Sequence, residues 1–304
     1  MFPTIEVLGP KLRRSYLVPL ALFVATLWTT TAVGSQFARS FAENRPFDTA
    51  DLRESFSALF QPQRWPAGLP FSLTLLAILL AHELGHYVAC RRYGVAATPP
   101  FFLPAPTPIG TFGAFIRIRS PITNRQALFD IGIAGPLAGF ALTLPAIAAG
   151  VALSKVLPNV GLLTDLRFST PPLQRAVELV LFPGAESHDV LLHPIARAGW
   201  VGAFATALNL LPIGQLDGGH ILYAFVGKWH RQLSRFFVAL LALLALFEGW
   251  SWLVWAILLL LLGLGHPTIY DQRRPAGIRP LLALAALIIF IGCFTVAPIS
   301  GADM

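Results

Sequence analysis

Cysteine is almost missing from this chain, with two residues in 304, and charge is scarce, at 12% of positions. Two thiols far apart in sequence, Cys90 and Cys293, exclude a disulfide framework and a thiolate metal site, since neither has a second thiol near it. The topology developed below puts them towards opposite faces of a bilayer, where they read as small apolar residues in helices. The shortage of charge, with 55% hydrophobic residues and a mean hydropathy of +0.67, excludes an ordinary soluble globule. Basic residues outnumber acidic ones, giving a net charge of +7. They lie in loops between apolar runs and form no stripe with interleaved aromatics, so no nucleic-acid partner is expected. There is no internal repeat and no low-complexity tract. After Lys11, Arg13 and Arg14 the apolar run from Tyr16 to about Val33 is followed by no small-residue cleavage site, so it reads as a retained first span.

What the chain does have is long hydrophobic runs. Seven segments have spanning or near-spanning length: 15–34, 70–90, 127–154, 196–213, 233–248, 250–265 and 280–298. Glu248-Gly249 separates the fifth from the sixth. One unbroken helix over 233–265 would be about 50 Å long, against a bilayer core of about 30 Å, so two short helices are expected. With the N-terminus inside, 14 of the 22 basic residues fall in inner segments and 8 in outer ones, in keeping with the positive-inside rule. The fold class expected is all-α and polytopic, with about seven transmembrane helices. Residues 1–304 would form a single membrane-embedded domain, with a core at about 68–225 and accessory helices at 15–34 and 233–298. The lipid bilayer is its first partner.

Between the second and third runs the pattern changes. Pro99-Pro100, Pro104, Pro106 and Pro108 exclude a regular helix. Gly110-Thr111-Phe112-Gly113-Ala114-Phe115-Ile116-Arg117-Ile118-Arg119 then favours a strand or hairpin. Such backbone is tolerated at membrane depth only where it is buried in protein or lines a watery cavity.

His82-Glu83-Leu84-Gly85-His86 sits within the second run. His-Glu-x-x-His places two imidazoles at i and i+4 on one helix face, within reach of one zinc ion, with the glutamate beside them to work on water. Ionisable residues inside a spanning segment are costly and usually functional. Arg91 follows His86 by five residues, about 7–8 Å of helix, which puts the pair just below the cytoplasmic surface. Two histidines leave a third protein ligand to be found. Asp217 follows Pro212 and Gly214, which break the fourth run, and precedes Gly218-Gly219. It is carried at the inner end of that run, the same side as the histidines. The competing reading of Asp217 is a turn residue or a helix cap.

Together these segments resemble the site-2 proteases, intramembrane zinc metalloproteases. The resemblance covers roughly residues 68–225. It rests on His82 to His86 on a span, on Gly132-Ile133-Ala134-Gly135-Pro136-Leu137-Ala138-Gly139 opening the next, and on Asn209 to Gly219 ending in Leu216-Asp217-Gly218-Gly219. The 110–119 stretch is similar to the membrane-associated β segment of the branch that lacks a PDZ domain, and no insertion of PDZ size is present. The resemblance implies one zinc ion per chain on His82, His86 and Asp217, with Glu83 as general base and then acid. Asn209 is implied as a substrate-positioning residue, although Leu210 and Leu211 separate it from Pro212 where many members have Asn-Pro. It further implies single-span transmembrane proteins as substrates, cut near the cytoplasmic face after local unwinding. Gly110, Gly113, Ala114 and Phe115 would offer an extended edge to them by strand addition.

The small-residue face of Gly132, Gly135, Ala138 and Gly139 reads first as tight helix packing that seats the third span against the second. His220 reads as solvated, His266-Pro267 as an exit loop, and Trp250, Trp252 and Trp255 as an interfacial belt. Two rivals were weighed. A transporter using His82, Glu83 and Asp217 as a relay predicts paired inverted repeats, which the sequence lacks. An inactive scaffold predicts a lost ligand or glutamate, and all four residues are present. The expected home is a bacterial inner membrane, with an organelle of bacterial descent as the alternative.

Overall fold

A computed structural model describes residues 12–248, 251–265, 269–271 and 273–301. Helix α1 (Leu12–Ala42) leads to the short α2 (Thr49–Ala58), whose N-cap Asp48 forms a capping box with Asp51. Helix α3 (Trp65–Arg92) begins with Pro66 in its first turn and ends in two arginines, each placed where its residue type suits a helix end. A hairpin of β1 (Phe101–Pro104) and β2 (Thr111–Phe115) follows, antiparallel, with Phe102 opposite Ala114. Asn124 caps α4 (Arg125–Ala152), its side chain accepting from the Ala127 N–H at 2.7 Å.

Beyond α4 the chain makes an irregular cap from β3 (Lys155–Val156), β4 (Leu166–Phe168), α5 (Pro172–Leu181) and β5 (Val190–Leu191). Helix α6 (Pro194–Leu210) returns through the bundle, α7 (Asp217–Val226) turns off its end, and α8 (His230–Glu248), α9 (Ser251–Leu262) and α10 (Arg279–Cys293) follow. A last strand, β6 (Ile299–Gly301), pairs antiparallel with β4.

Each apolar run expected from the sequence contains a helix, although the runs to 213, 265 and 298 outlast helices that end at Leu210, Leu262 and Cys293, and the hairpin lies where the strand pattern placed it. The count of seven spans is not reproduced. Among the described residues, four helical stretches are long and apolar enough to cross a membrane: Tyr16–Ala42, Pro62–Arg92, Arg125–Ala152 and Asp217–Phe247. Helices α6, α9 and α10, with 17, 12 and 15 residues, fall short of the roughly 20 that a bilayer core requires. In α6 the reason is visible. It is packed against α3 and α4, and Ala196, Ala198, Trp200 and Ala203 are buried. Helices α8 and α9 are distinct and share one core of Val238, Leu241, Trp252 and Ala256. Trp252 therefore serves that core rather than an aromatic belt. Lys11, Gly249, Trp250, His266 and Pro267 lie outside the described residues.

Helix α3 sits at the centre of the bundle, flanked by α1, α4 and α6. Its joint with α1 is partly polar: the Thr30 and Ser72 hydroxyls share a hydrogen bond, both buried. An apolar cluster including Phe37, Phe71, Leu75 and Trp200 ties α1, α3 and α6 together at one end. That leaves the other half of α3, where the charged motif lies, to face α4, the hairpin and α7.

Candidate metal centre

One helical turn separates His82 from His86, so both rings leave α3 on the same side, and both are buried. Their Nε2 atoms are 3.1 Å apart. Asp217 closes the group from the first turn of α7. Its Oδ2 is 3.2 Å from His82 Nε2, and its Oδ1 is 3.3 Å from His86 Nε2. The sequence argument carried Asp217 on a bent segment at the inner end of the fourth run, broken by Pro212 and Gly214. The structure ends α6 at Leu210, runs a turn through Gly214 and starts a new helix at Asp217.

The size of this triangle can be tested against a metal. Four ligands at about 2.0–2.1 Å from a zinc-sized cation lie about 3.3–3.4 Å from one another at tetrahedral angles. The His82–His86 separation of 3.1 Å and the 3.2 and 3.3 Å contacts of the two Asp217 oxygens, one to each histidine, are each close to that figure; one donor atom from each residue lies within 4.8 Å of the other two, and three donors are the number a catalytic site uses. The residues fit the group. His86 is also set in the right tautomer: its Nδ1–H donates to the Ile131 carbonyl at 2.7 Å, leaving Nε2 free to ligate.

The walls explain the small-residue face of α4. A Cβ placed on Gly135 would fall inside the His86 imidazole, and one on Gly139 would stand 3.1 Å from His82 Cβ. These two glycines are the floor on which the ligand rings rest. Sequence reasoning found the stripe and read it as packing, but could not see that the packed partners were the ligands. The Ile131 carbonyl was missed as well, because a main-chain acceptor leaves no mark in a sequence.

Glu83 is buried beside the triangle, with Oε1 4.0 Å from His82 Nε2. A cavity opens there, lined by His82, Glu83, Phe112, Gly113, Ala114 and Asn209 among others. The Asn209 amide lies 3.4 Å from His82 Nε2. Of the strand residues singled out from the sequence, Gly113 and Ala114 line the cavity. Gly110 does not: its backbone at φ +78° packs against Thr29 and Thr30, and the Thr29 hydroxyl donates to its carbonyl at 2.7 Å. Phe115 stacks on Phe101 across the hairpin. Phe112, not singled out, contributes to the cavity instead.

The arrangement can hold a divalent cation and present a carboxylate to a water beside it, within reach of an extended strand. Comparison with known proteins agrees. The family model for peptidase family M50 matches residues 70–247. A probable zinc metalloprotease from Arabidopsis thaliana, EGY2, chloroplastic, is 30% identical over 88% of this chain and 50% of its own length. A probable zinc metalloprotease EGY1, chloroplastic, from Oryza sativa subsp. japonica, is 33% identical over 72% of this chain and 39% of its own. The chain thus spans half or less of the length of these relatives.

Proposed function

Because the chain belongs to peptidase family M50, we propose that it is an intramembrane zinc endopeptidase acting on single-span transmembrane proteins near the cytoplasmic face. The observation that carries this reading is the triangle of His82, His86 and Asp217, with Glu83 and the β2 edge on the wall of one cavity. The three side chains would hold one zinc ion. Bound there, it would supply a Lewis acid that polarises a peptide carbonyl and makes water a competent nucleophile at neutral pH.

The chain's own residues do the rest. The Glu83 carboxylate accepts a proton from the attacking water and returns it to the leaving amine, as base and then acid. The amide of Asn209 stands where it can donate to the oxygen of the scissile carbonyl as charge develops on it. A helical peptide bond is shielded by its own hydrogen bonds, so a substrate must be extended before it is cut. Strand β2 has one edge paired to β1, and its side chains at Phe112 to Ala114 border the cavity. Addition of a substrate strand there would hold it by main-chain bonds and leave side-chain specificity loose.

The seven apolar helices would form one membrane domain, with the N-terminus inside and the metal centre towards the cytoplasm. Charge asymmetry and the arginines that end α3 support that orientation. The membrane would be of bacterial type, in a cell or, as in the relatives named chloroplastic, in an organelle. The test is cleavage of a fluorescent single-span substrate by the reconstituted chain. Wild type should cut it and Glu83→Gln should lose at least a hundredfold in rate, in line with removal of a general base. A Glu83→Gln chain that cuts at the wild-type rate would refute the assignment.

A further inference from the structure

The end of the bundle opposite the metal centre carries a second polar cavity. Arg197 stands in the first turn of α6, twelve residues before Asn209 and so about 18 Å from it along the helix. Its guanidinium lies over the Phe168 ring at 4.8 Å and near the Phe37 ring at 5.9 Å. A cation at a helix N-terminus meets the unfavourable end of the dipole, and desolvation adds to that cost. Two aromatic faces offset part of it.

What is missing is an anion. Glu178 is the acid that acts on Arg197, but no ion pair joins the two among the described residues. The Glu178 carboxylate is committed elsewhere. Oε1 accepts from Gln174 Nε2 at 2.7 Å, and Oε2 accepts from the Ser187 hydroxyl at 3.0 Å and faces Arg175 at 3.6 Å. Beside it Gln174 is 2% exposed, and its Oε1 is buried with no hydrogen-bond partner among the described residues. A buried amide oxygen of that kind is costly unless a donor reaches it. Gln174, Glu178 and Arg197 line one cavity with Phe168 and Leu192, and Arg167 adds a second cation.

These features ask for one ligand with an anionic group for Arg197, a donor for Gln174 Oε1 and an apolar part for the aromatic wall. A simple carboxylate meets only the first demand, and an inorganic anion, even one with a hydroxyl donor such as hydrogenphosphate, lacks the apolar part. We propose that this cavity binds a peptide C-terminus, with the terminal carboxylate on Arg197, the last amide N–H on Gln174 Oε1, and the last side chain against Phe168 and Leu192. The site is separate from the metal centre and does not depend on the proteolytic reading.

The test is isothermal titration calorimetry on the full-length chain in detergent, using acetyl-dialanyl-leucine and its C-terminal amide. The Glu83→Gln protein serves as host, and the His86→Ala protein as a control in which the metal centre is disabled. The acid should bind equally well to both proteins, and the amide at least tenfold more weakly. Folded Arg197→Gln should lose a similar factor, and Arg197→Lys should recover part of it. Gln174→Leu, which keeps the cation, should weaken binding several-fold and gives a second readout should Arg197→Gln not fold. Equal binding of acid and amide, loss of binding in His86→Ala, or displacement of the peptide by an equal concentration of acetate or phosphate would each overturn the proposal.

Discussion

At the scale of single residues, the metal centre depends as much on what is absent from α4 as on what is present on α3. Gly135 and Gly139 give the two imidazoles their place, and Gly135 has no room for even a methyl group. Gly135→Ala is expected to push the His86 ring off its Ile131 anchor, costing about 1–3 kcal/mol of stability as an overpacked core does. It should also lower bound zinc well below one per chain. Gly139→Ala, whose Cβ would meet His82 at 3.1 Å, should do the same more mildly. Metal analysis and thermal unfolding of the two variants check this, and full zinc in Gly135→Ala would refute the role given to that floor. At the opposite end of the bundle, burial pushes the Glu178 carboxyl up, against the pull of Gln174, Ser187 and Arg175. The folded chain therefore holds that proton more tightly than the unfolded one. The stability this contributes is present at acid pH and is lost as pH rises through the raised value. The melting-temperature difference between wild type and Glu178→Gln should accordingly fall from pH 5 to pH 8, and a difference that grows would contradict the assignment.

At the scale of elements, α10 lies beyond the matched stretch of the chain yet is tied to the helix that carries the floor. Arg279 Nε and Nη2 donate to the two oxygens of Asp130 at 2.9 and 2.8 Å, and the Tyr93 hydroxyl at the end of α3 joins the same carboxylate. Asp130 is next in sequence to Ile131, whose carbonyl sets the His86 tautomer. A bidentate, partly buried pair of this kind is worth about 1–2 kcal/mol. Arg279→Ala and Asp130→Asn should each destabilise the chain by roughly that amount, and the double variant should cost little more than either alone. Additive losses in a double-mutant cycle would show that the clamp is not a unit. The elements themselves were readable to different degrees. The i, i+4 histidines were legible because helix geometry is local, and the hairpin because prolines and alternation are local too. The seating of Gly110 on α1 was not, since it depends on Thr29, 81 residues away in sequence.

At the scale of the whole molecule, hydropathy located the long apolar helices but not α7, nor which of them are long enough to span alone. A buried helix such as α6 and a lipid-facing one share the same composition, and only packing separates them. The third proposed ligand was legible for a different reason. Helix breakers on either side of Asp217, together with its depth, placed it on the same side as the histidines before any distance was known. The short distances among the three side chains accord with the proposed shared centre. The architecture brings three elements, α3, the hairpin and α6, to one cavity towards one end of the bundle, while the cap after α4 builds a chemically different cavity at the other.

The most direct test of the metal centre is zinc per chain, measured by plasma mass spectrometry on purified wild type, His86→Ala, Asp217→Ala and Glu83→Gln. About one zinc is expected in wild type and in Glu83→Gln, whose carboxylate is not counted among the ligands, and much less in the other two. A full complement in Asp217→Ala, or none in wild type after supplementation, would contradict the three-ligand centre.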